Sequence, residues 1–594
     1  MASAGRGSLD TGAGFRVYFA RHASRLAPLA RASQLSRPRF APPAVVVRRR
    51  AGFPGSTPNP FRTGGGFVLA LTAENTLLVA SLAPASNAEA FEAVREAASL
   101  PPGAAVELRF DAMSEEPEFR ALRACLEGRT LIATVRSASE GGAFRGQGGE
   151  AQRLLSRALD AGFEFVDVEF RRDGGNEAAR IHPSRKILSL HDPEGVPADM
   201  SALVARMLAT PARFVKVVAT ANDSGDARRL LELQAANRGG RLATFAMGEA
   251  GIATRSLAPY LGAALAYGAL LPGRATAPGQ LLARDLAEIY GIGRPRKISR
   301  LFALLGGAVS HSLSPALHNA NFEALGLDAL YVPFAMRTLG RELEPLVTSL
   351  DGLGLPLVGV SVTIPFKEEA ALLSGSAEDG ERAVNTLLRT SPPGQPLRLR
   401  AANTDRAAFE AVIEDASKEK GKVKADAGVA LVLGAGGTAR VAVNVLRTKG
   451  YEVFLMNRGD ERGEALAKAE GAHYLSKKSS ATFHEPNILV NATPLGLRSG
   501  DPLPCEQSLL RPGMLVIDAP YRAGGTELVR AARAAGARVV DGQTFLLLQA
   551  AGQATMFTGR RTAPRDLLGR LPARARLAFS SFEESLLALP EISA

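Results

Sequence analysis

Between residues 76 and 270 the chain repeats one pattern eight times: a short apolar run, then a longer amphipathic stretch. The runs are 76–83 (TLLVASLA), 105–111 (AVELRFD), 129–136 (RTLIATVR), 163–170 (FEFVDVEF), 185–192 (RKILSLHD), 213–221 (RFVKVVATA), 241–248 (RLATFAMG) and 263–270 (AALAYGAL). Their starts recur every 22–34 residues, the length of a βα unit. Strands this apolar are buried on both faces, as in parallel sheets. Eight such units predict a (β/α)8 barrel with its reactive groups at the C-terminal ends of the strands. A further strand is expected at 67–73 (FVLALTA).

Polar residues interrupt those runs or directly follow them: Ser81, Glu107, Arg109, Arg136, Glu140, Asp167, Glu169, His191, Lys216 and Arg255. On a barrel they converge on one mouth. Arginines grip carboxylates bidentately, and a lysine near a histidine can run amine catalysis. Lys216 is expected to point inward on the face of Phe214 and Val218. Burial and neighbouring arginines would lower its pKa. A useful amine at neutral pH needs a drop of roughly three units, or about 4 kcal/mol.

A chain of 594 residues exceeds one core and implies several domains. No run of about 18 apolar residues suggests a membrane span. Two cysteines, Cys125 and Cys505, exclude a disulfide framework and a multi-cysteine zinc site, and no metal is expected. The net charge of +12 is concentrated in residues 1–66. Without that segment's eleven arginines and one aspartate, 60 basic face 58 acidic residues. The excess therefore marks an Arg-rich, acid-poor leader of transit-peptide type rather than a nucleic-acid surface. Plastid and mitochondrion both fit that composition, and no nucleic-acid or membrane partner is expected.

After 287–300 (AEIYGIGRPRKISR), read as a basic linker, the pattern changes. In "GGAVSHSLSPALHN" a strand runs through a turn into a helix. Ser312 and Ser314 are carboxylate-ligand candidates there, although Ser314 ahead of Pro315 also fits a helix N-cap. "GVSVTIPFKEEA", "AVNTLL" and "AANTDRAAF" end strands with Thr363 and Lys367, Asn385, and Asn403, Thr404 and Asp405. A strand-end lysine and aspartate suit a shared proton-transfer site. "GVALVLGAGGTARVAVNVLRTKG" then gives strand, Gly434-x-Gly436-x-x-Ala439 and helix, the dinucleotide fingerprint. The next strand ends in Asn457–Arg458, with Arg462 behind, where an NAD site would have an acid. NADP is therefore favoured.

Taken together, "VELRFD", "TVRSASEGG", "SLHD", "FVKVVATA", "MGEAGIATR" and "APGQ" resemble type I 3-dehydroquinate dehydratase over nearly all of 67–290. The resemblance implies a Schiff base on Lys216, with His191 as acid and base and Glu140 orienting it. It also implies substrate contacts at Ser81, Glu107, Arg109, Arg136, Arg255, Thr276 and Gln280. Thr276 stands where the family usually has serine. "SHSLSPALHN", "SVTIPFK", "AVNT", "NTD", "GAGGTAR", "NR", "NATPLG", "DAPYRAGGT" and "FLLLQAAGQ" resemble shikimate dehydrogenase over about 301–560. That resemblance implies NADPH-linked reduction of 3-dehydroshikimate, with Lys367 and Asp405 as the acid/base pair. Ser312, Ser314, Thr363, Asn385, Tyr521 and Gln549 would hold substrate. Gly434, Ala435, Gly436, Gly437, Asn457, Arg458, Arg462, Asn491 and Thr493 would hold the cofactor.

The expected organisation is an α/β chain in which a barrel precedes a two-domain dehydrogenase unit. Its parts are a leader (1–66), barrel (67–290), linker (291–300), substrate domain (301–420), NADP-binding Rossmann domain (421–545), returning helices (546–575) and a tail (576–594). The joint resemblance is to the fused plant-type enzyme, expected as a plastid monomer. Departures from the family patterns are Arg382, Ala401, Arg406 and Ala408 at usual glycines, Gly459 at a usual threonine and Ala523 at a common proline. Two alternatives stand beside this reading. One is quinate dehydrogenase activity, against which Ser314 speaks. The other is a non-catalytic pathway-ligand sensor, against which the retained Lys216, His191, Lys367 and Asp405 speak.

Overall fold

The computed structural model describes residues 71–173, 180–375, 381–419, 428–476, 485–522, 524–577 and 579. The leader 1–66, most of the strand expected at 67–73, and Ala523 lie outside the described residues. Both enzyme-like halves belong to one compact unit, Phe61–Ala594.

The eight apolar runs form eight parallel strands: Leu77–Leu82, Ala105–Arg109, Leu131–Thr134, Phe165–Glu169, Lys186–Asp192, Phe214–Thr220, Leu242–Met247 and Leu265–Ala269. Each of the first six pairs with the next, and the eighth pairs with the first. The seventh and eighth strands are not laddered; one backbone bond, Ala264 N–H to Leu242 O at 2.9 Å, bridges them. The barrel is thus nearly rather than fully closed. Helices cover its outside because their apolar positions fall on one stripe. In Gly148–Asp160 these are Ala151, Leu155 and Ala158, spaced four and three residues apart. Beneath them Val79, Val106, Leu131, Ile132 and Val166 are fully buried. Each such leucine or isoleucine contributes about 1.5–3 kcal/mol of transfer free energy.

Of the strand expected at 67–73, the described part is Leu71–Thr72, which pairs antiparallel with Lys297–Ile298. The segment read as a linker is therefore a folded joint: Tyr290, Ile292 and Ile298 are all buried. Apolar side chains at these positions outweigh the basic composition on which the linker reading rested.

The second half has two sheets. One orders its strands Ala329–Ala335, Arg300–Gly306, Leu357–Val362, Thr386–Arg389 and Leu399–Ala402, parallel across the first three and antiparallel beyond. The other is parallel throughout: His473–Tyr474, Glu452–Met456, Val429–Leu433, Ile488–Asn491, Leu515–Asp518 and Arg538–Val540. Helix Gly542–Thr558 joins them. Phe545 packs on Phe409 at 4.6 Å between ring centroids, and Phe557 on Phe302 at 4.8 Å. Beyond it, Phe579 is buried against Leu547 and Leu571, within the expected tail.

Candidate active sites

Successive side chains alternate faces along a strand, and alternate strands of a barrel share one interior layer. Glu107, Asp167, Lys216 and Tyr267 come from the second, fourth, sixth and eighth strands. They meet. Lys216 Nζ lies 2.5 Å from Asp167 Oδ2, 3.5 Å from Glu107 Oε1 and 4.4 Å from the centre of the Tyr267 ring. Lys216 is 3% exposed. Its nearest charged neighbours are carboxylates, which corrects the expectation of arginines; the strand face was legible, the interior layer was not.

Arg136 is the hub of the next layer. Its guanidinium donates to Glu169 and Asp167 at 2.8 Å, and to Glu140 and Ser189 at 3.1 Å. Burial alone would lower its pKa, but Asp167, Glu169, Glu140 and Glu107 outweigh that and raise it. Burial likewise works to raise the pKa of Asp167, and Arg136 and Lys216 reverse it to a value well below the usual carboxylate range. Arg136 is thus committed to buried protein carboxylates, and Arg109 is held bidentately by Asp111 at 2.6 and 2.7 Å.

His191 is the penultimate residue of the fifth strand. Glu140 Oε2 accepts its backbone N–H at 3.0 Å and lies 3.2 Å from its Nδ1. Burial, then the positive charges of Arg136 and Lys216, pushes the imidazole well below its ordinary pKa. Burial raises Glu140 to about 7 despite Arg136. Across the mouth, Gln280 Nε2 donates to Ser81 Oγ at 2.9 Å, and Ser81 and Thr276 hydroxyls are 2.8 Å apart. Arg255 is buried over the Phe245 ring, with Nε unpartnered and Nη2 3.4 Å from Pro278 O; burial lowers it to about 10. Ser189 went unnamed in the sequence, although it precedes His191 by two residues and so shares its face.

In the second half, Lys367 opens helix Lys367–Leu373 and Asp405 sits in the first turn of helix Thr404–Glu419. Lys367 Nζ is hydrogen-bonded to Asp405 Oδ2 and donates to Thr438 Oγ1 at 3.0 Å. Asn385 Nδ2 donates to Asp405 Oδ1 and Thr404 Oγ1 at 2.9 Å and to Gln549 Oε1 at 3.1 Å. Ser312 Oγ accepts the Ser314 N–H at 3.2 Å and is hydrogen-bonded to Tyr521. Ser314 is the first helical residue rather than the cap, since Leu313 holds the cap position. Thr363 N–H donates to Leu305 O at 2.9 Å, which fixes the strand end. Gln553 was missed in "FLLLQAAGQ". It accepts from Ser361 at 2.9 Å and donates to Asn385 O at 3.1 Å, four residues and one turn beyond Gln549.

The dinucleotide fingerprint has the local geometry a pyrophosphate requires. Gly434 has φ +105°, and a Cβ there would meet Ala492 O at 2.9 Å. Gly436 precedes helix Gly437–Thr448, no side chain caps that helix, and nothing lies within 4 Å of a Cβ built on Gly436. Backbone N–H groups are therefore open to an anion. A Cβ on Gly437 would come 2.9 Å from Lys367 Cβ, so the turn abuts the Lys367–Asp405 pair; buried Ala435 precedes Gly436 in it. Asn457 Nδ2 donates to Gly459 O at 2.8 Å; Arg458 and Arg462 are exposed beside it. The nearby acid Asp460 accepts from Tyr474 Oη at 2.6 Å. Buried Asn491 is spent on Asp518 at 2.7 Å and on Thr493 Oγ1, also at 2.7 Å. It shapes the loop rather than facing outward.

A barrel with a buried lysine–histidine mouth, joined to a substrate sheet and a parallel nucleotide-binding sheet, defines a two-enzyme chain. The type I 3-dehydroquinase family model matches residues 79–295, and the shikimate dehydrogenase substrate binding domain model matches 304–387. The chain is 41% identical over 271 residues to shikimate dehydrogenase (NADP(+)) of Rubrobacter xylanophilus, covering 44% of this chain and 90% of that one. It is 29% identical over 493 residues to the chloroplastic bifunctional 3-dehydroquinate dehydratase/shikimate dehydrogenase of Arabidopsis thaliana, covering 79% and 80%. A solved shikimate dehydrogenase from Thermus thermophilus, in complex with NADP(H) and shikimate, aligns over 47% of this chain and 99% of its own, at 33% identity and TM-score 0.38. The chain belongs to the shikimate dehydrogenase family through its second half and carries a type I 3-dehydroquinase domain in its first. It is a bifunctional dehydratase–dehydrogenase.

Proposed function

We propose that the chain turns 3-dehydroquinate into shikimate at two separate lysine-centred sites, with NADPH as reductant. The observation that carries the first step is Lys216, buried at the barrel mouth beside an imidazole held neutral. The amine adds to the substrate ketone and expels water, giving an iminium that draws electrons from the adjacent carbon. His191 takes the proton from that carbon and then protonates the departing hydroxyl, which leaves as water. Hydrolysis of the imine restores the amine. Glu140 fixes the ring through its backbone N–H and Nδ1. The unpartnered Arg255 Nε supports a role in holding the substrate carboxylate. Gln280, tied to Ser81 and Thr276, closes the same side.

At the second site Lys367 and Asp405 hold and move the proton at the reacting oxygen. Asn385 orients Asp405, and Ser312, Ser314, Thr363, Tyr521 and Gln549 bind substrate. When bound, NADPH supplies the hydride. Arg458 and Arg462 would take its 2′-phosphate, and the open turn at Gly434–Gly437 its pyrophosphate. The Arg-rich, acid-poor leader supports import into an organelle, and the chloroplastic relative favours the plastid. The domain limits drawn from the sequence, with the joint near 291–300, fit this division of labour.

Borohydride added with 3-dehydroquinate tests the first step. A reduced-substrate adduct mapped by mass to Lys216, with NADPH oxidation on 3-dehydroshikimate, is expected. No adduct and no oxidation would sink the reading. Import of the leader fused to a reporter into isolated plastids, against mitochondria, tests the destination.

A further inference from the structure

The two halves touch along helix Ser224–Ala236, where Ser349 donates to Glu232 at 2.7 Å, and through loops at the mouth of the barrel. After the Lys216 strand, Ser224 at the head of that helix is 2.5 Å from Glu342 Oε2, and the Asn222 carbonyl accepts from Arg337 Nη2 at 2.5 Å. The loop after the seventh strand makes a different kind of contact. Glu249 Oε1 accepts two backbone N–H groups of the dehydrogenase, Val309 at 2.5 Å and Ser310 at 2.8 Å.

Those two amides begin the turn that carries the substrate serines. Ser312 N–H donates to Val309 O at 3.2 Å, and Ser312 Oγ takes the Ser314 N–H. Three residues after Glu249, Ile252 packs in one apolar cluster with Val309, Leu304 and Tyr331. Arg255, one helical turn further on, lies at the dehydratase mouth. Segment 248–257 therefore has one end in each site. A carboxylate on two consecutive amides is a charge-assisted clamp, stronger than neutral hydrogen bonds.

We infer that Glu249, a barrel residue, is a positioning residue for the dehydrogenase: its carboxylate clamps the 309–310 turn so that Ser312 and Ser314 face the substrate carboxylate. The inference rests on the reading that these serines hold substrate. It makes the second site complete only when the first domain is docked.

The test is steady-state kinetics of full-length Glu249→Ala, Glu249→Gln and Ser314→Ala in both half-reactions. Glu249→Ala is expected to raise KM for 3-dehydroshikimate about 5–30-fold, no more than the worth of one charge-assisted bond, since the clamp acts on substrate through the serine turn. Its dehydrogenase kcat, its KM for NADPH and its dehydratase kcat/KM should stay within about twofold. Glu249→Gln keeps an acceptor oxygen and should recover most of the KM. An unchanged KM in Glu249→Ala, with a raised KM in Ser314→Ala, would overturn the clamp but leave the serine reading intact. An unchanged KM in Ser314→Ala would overturn both. Equal losses in the two half-reactions would mark Glu249 as a general structural residue and overturn the inference.

Discussion

One carboxylate oxygen of Glu140 meets His191 twice, at the backbone N–H and at Nδ1, at 3.0 and 3.2 Å. Burial and the charges of Arg136 and Lys216 keep that imidazole neutral well below its ordinary pKa. Any loss of dehydratase kcat/KM between pH 7 and pH 6 should therefore follow protonation of Glu140, which burial raises to about 7, and not of the imidazole; it should be absent from the profile of Glu140→Gln. A pH–rate profile checks it. His191→Ala should cost about 10²–10⁴-fold, and Glu140→Gln less, since it turns the ring without removing it.

Two lysine variants should separate the reactions. Lys216→Arg preserves a cation beside Asp167 but cannot form an imine; dehydratase turnover should fall at least about 100-fold with NADPH-linked reduction intact. Lys367→Met should do the reverse, by about 10²–10⁴-fold. Paired assays on each purified variant give the answer, and equal loss of both activities in either would contradict two independent sites.

Arg458 and Arg462 are exposed at the end of the second nucleotide-sheet strand, and Arg462 Nη2 is 3.9 Å from Glu368 Oε2. Replacing both with alanine should raise KM for NADPH roughly 10–100-fold, about 1.4–2.8 kcal/mol in all, the worth of one charged hydrogen bond shared by two exposed side chains. KM for NADH, which lacks the 2′-phosphate, should barely move. A parallel rise for both cofactors would place the 2′-phosphate elsewhere.

His318 is fully buried and stacked on Tyr331 at 4.5 Å, and burial lowers its pKa to about 3. Between that value and the unfolded value near 6.5 the unfolded chain binds one more proton than the folded one. Stability should fall as pH drops through about 6.5, by on the order of 1.4 kcal/mol per pH unit from this group. Thermal melts of the parent and His318→Phe from pH 7.5 to 5 should show a shallower slope in the variant.

The strands of both halves could be read from apolar runs because burial of parallel strands selects them locally. What escaped reading depended on partners distant in sequence. The final barrel seam and the pairing of Leu71 with Ile298 are set by closure, not by composition. Lys216 could be placed on an inward face from its period of two. Its carboxylate neighbours could not, since the stagger of the barrel decides which residues of the second, fourth and eighth strands share its layer. Arg406, named among the departures at a usual glycine, donates to Glu381 at 2.9 Å and Asn444 at 2.8 Å, partners that its position in the sequence did not reveal. Thr438, which holds Lys367, lay inside the fingerprint and was read only for its glycines.

The short antiparallel pair Leu71–Thr72 with Lys297–Ile298 sets an order of events at the ribosome. Leu71 precedes its partner Ile298 by 227 positions. At synthesis rates of about 5–20 residues per second, that strand waits roughly 10–45 s for its mate. The first barrel strand waits almost as long for the eighth. Until then one edge of the first barrel strand stays unpaired, so for those seconds the barrel is open to chaperones while the dehydrogenase half is still being made.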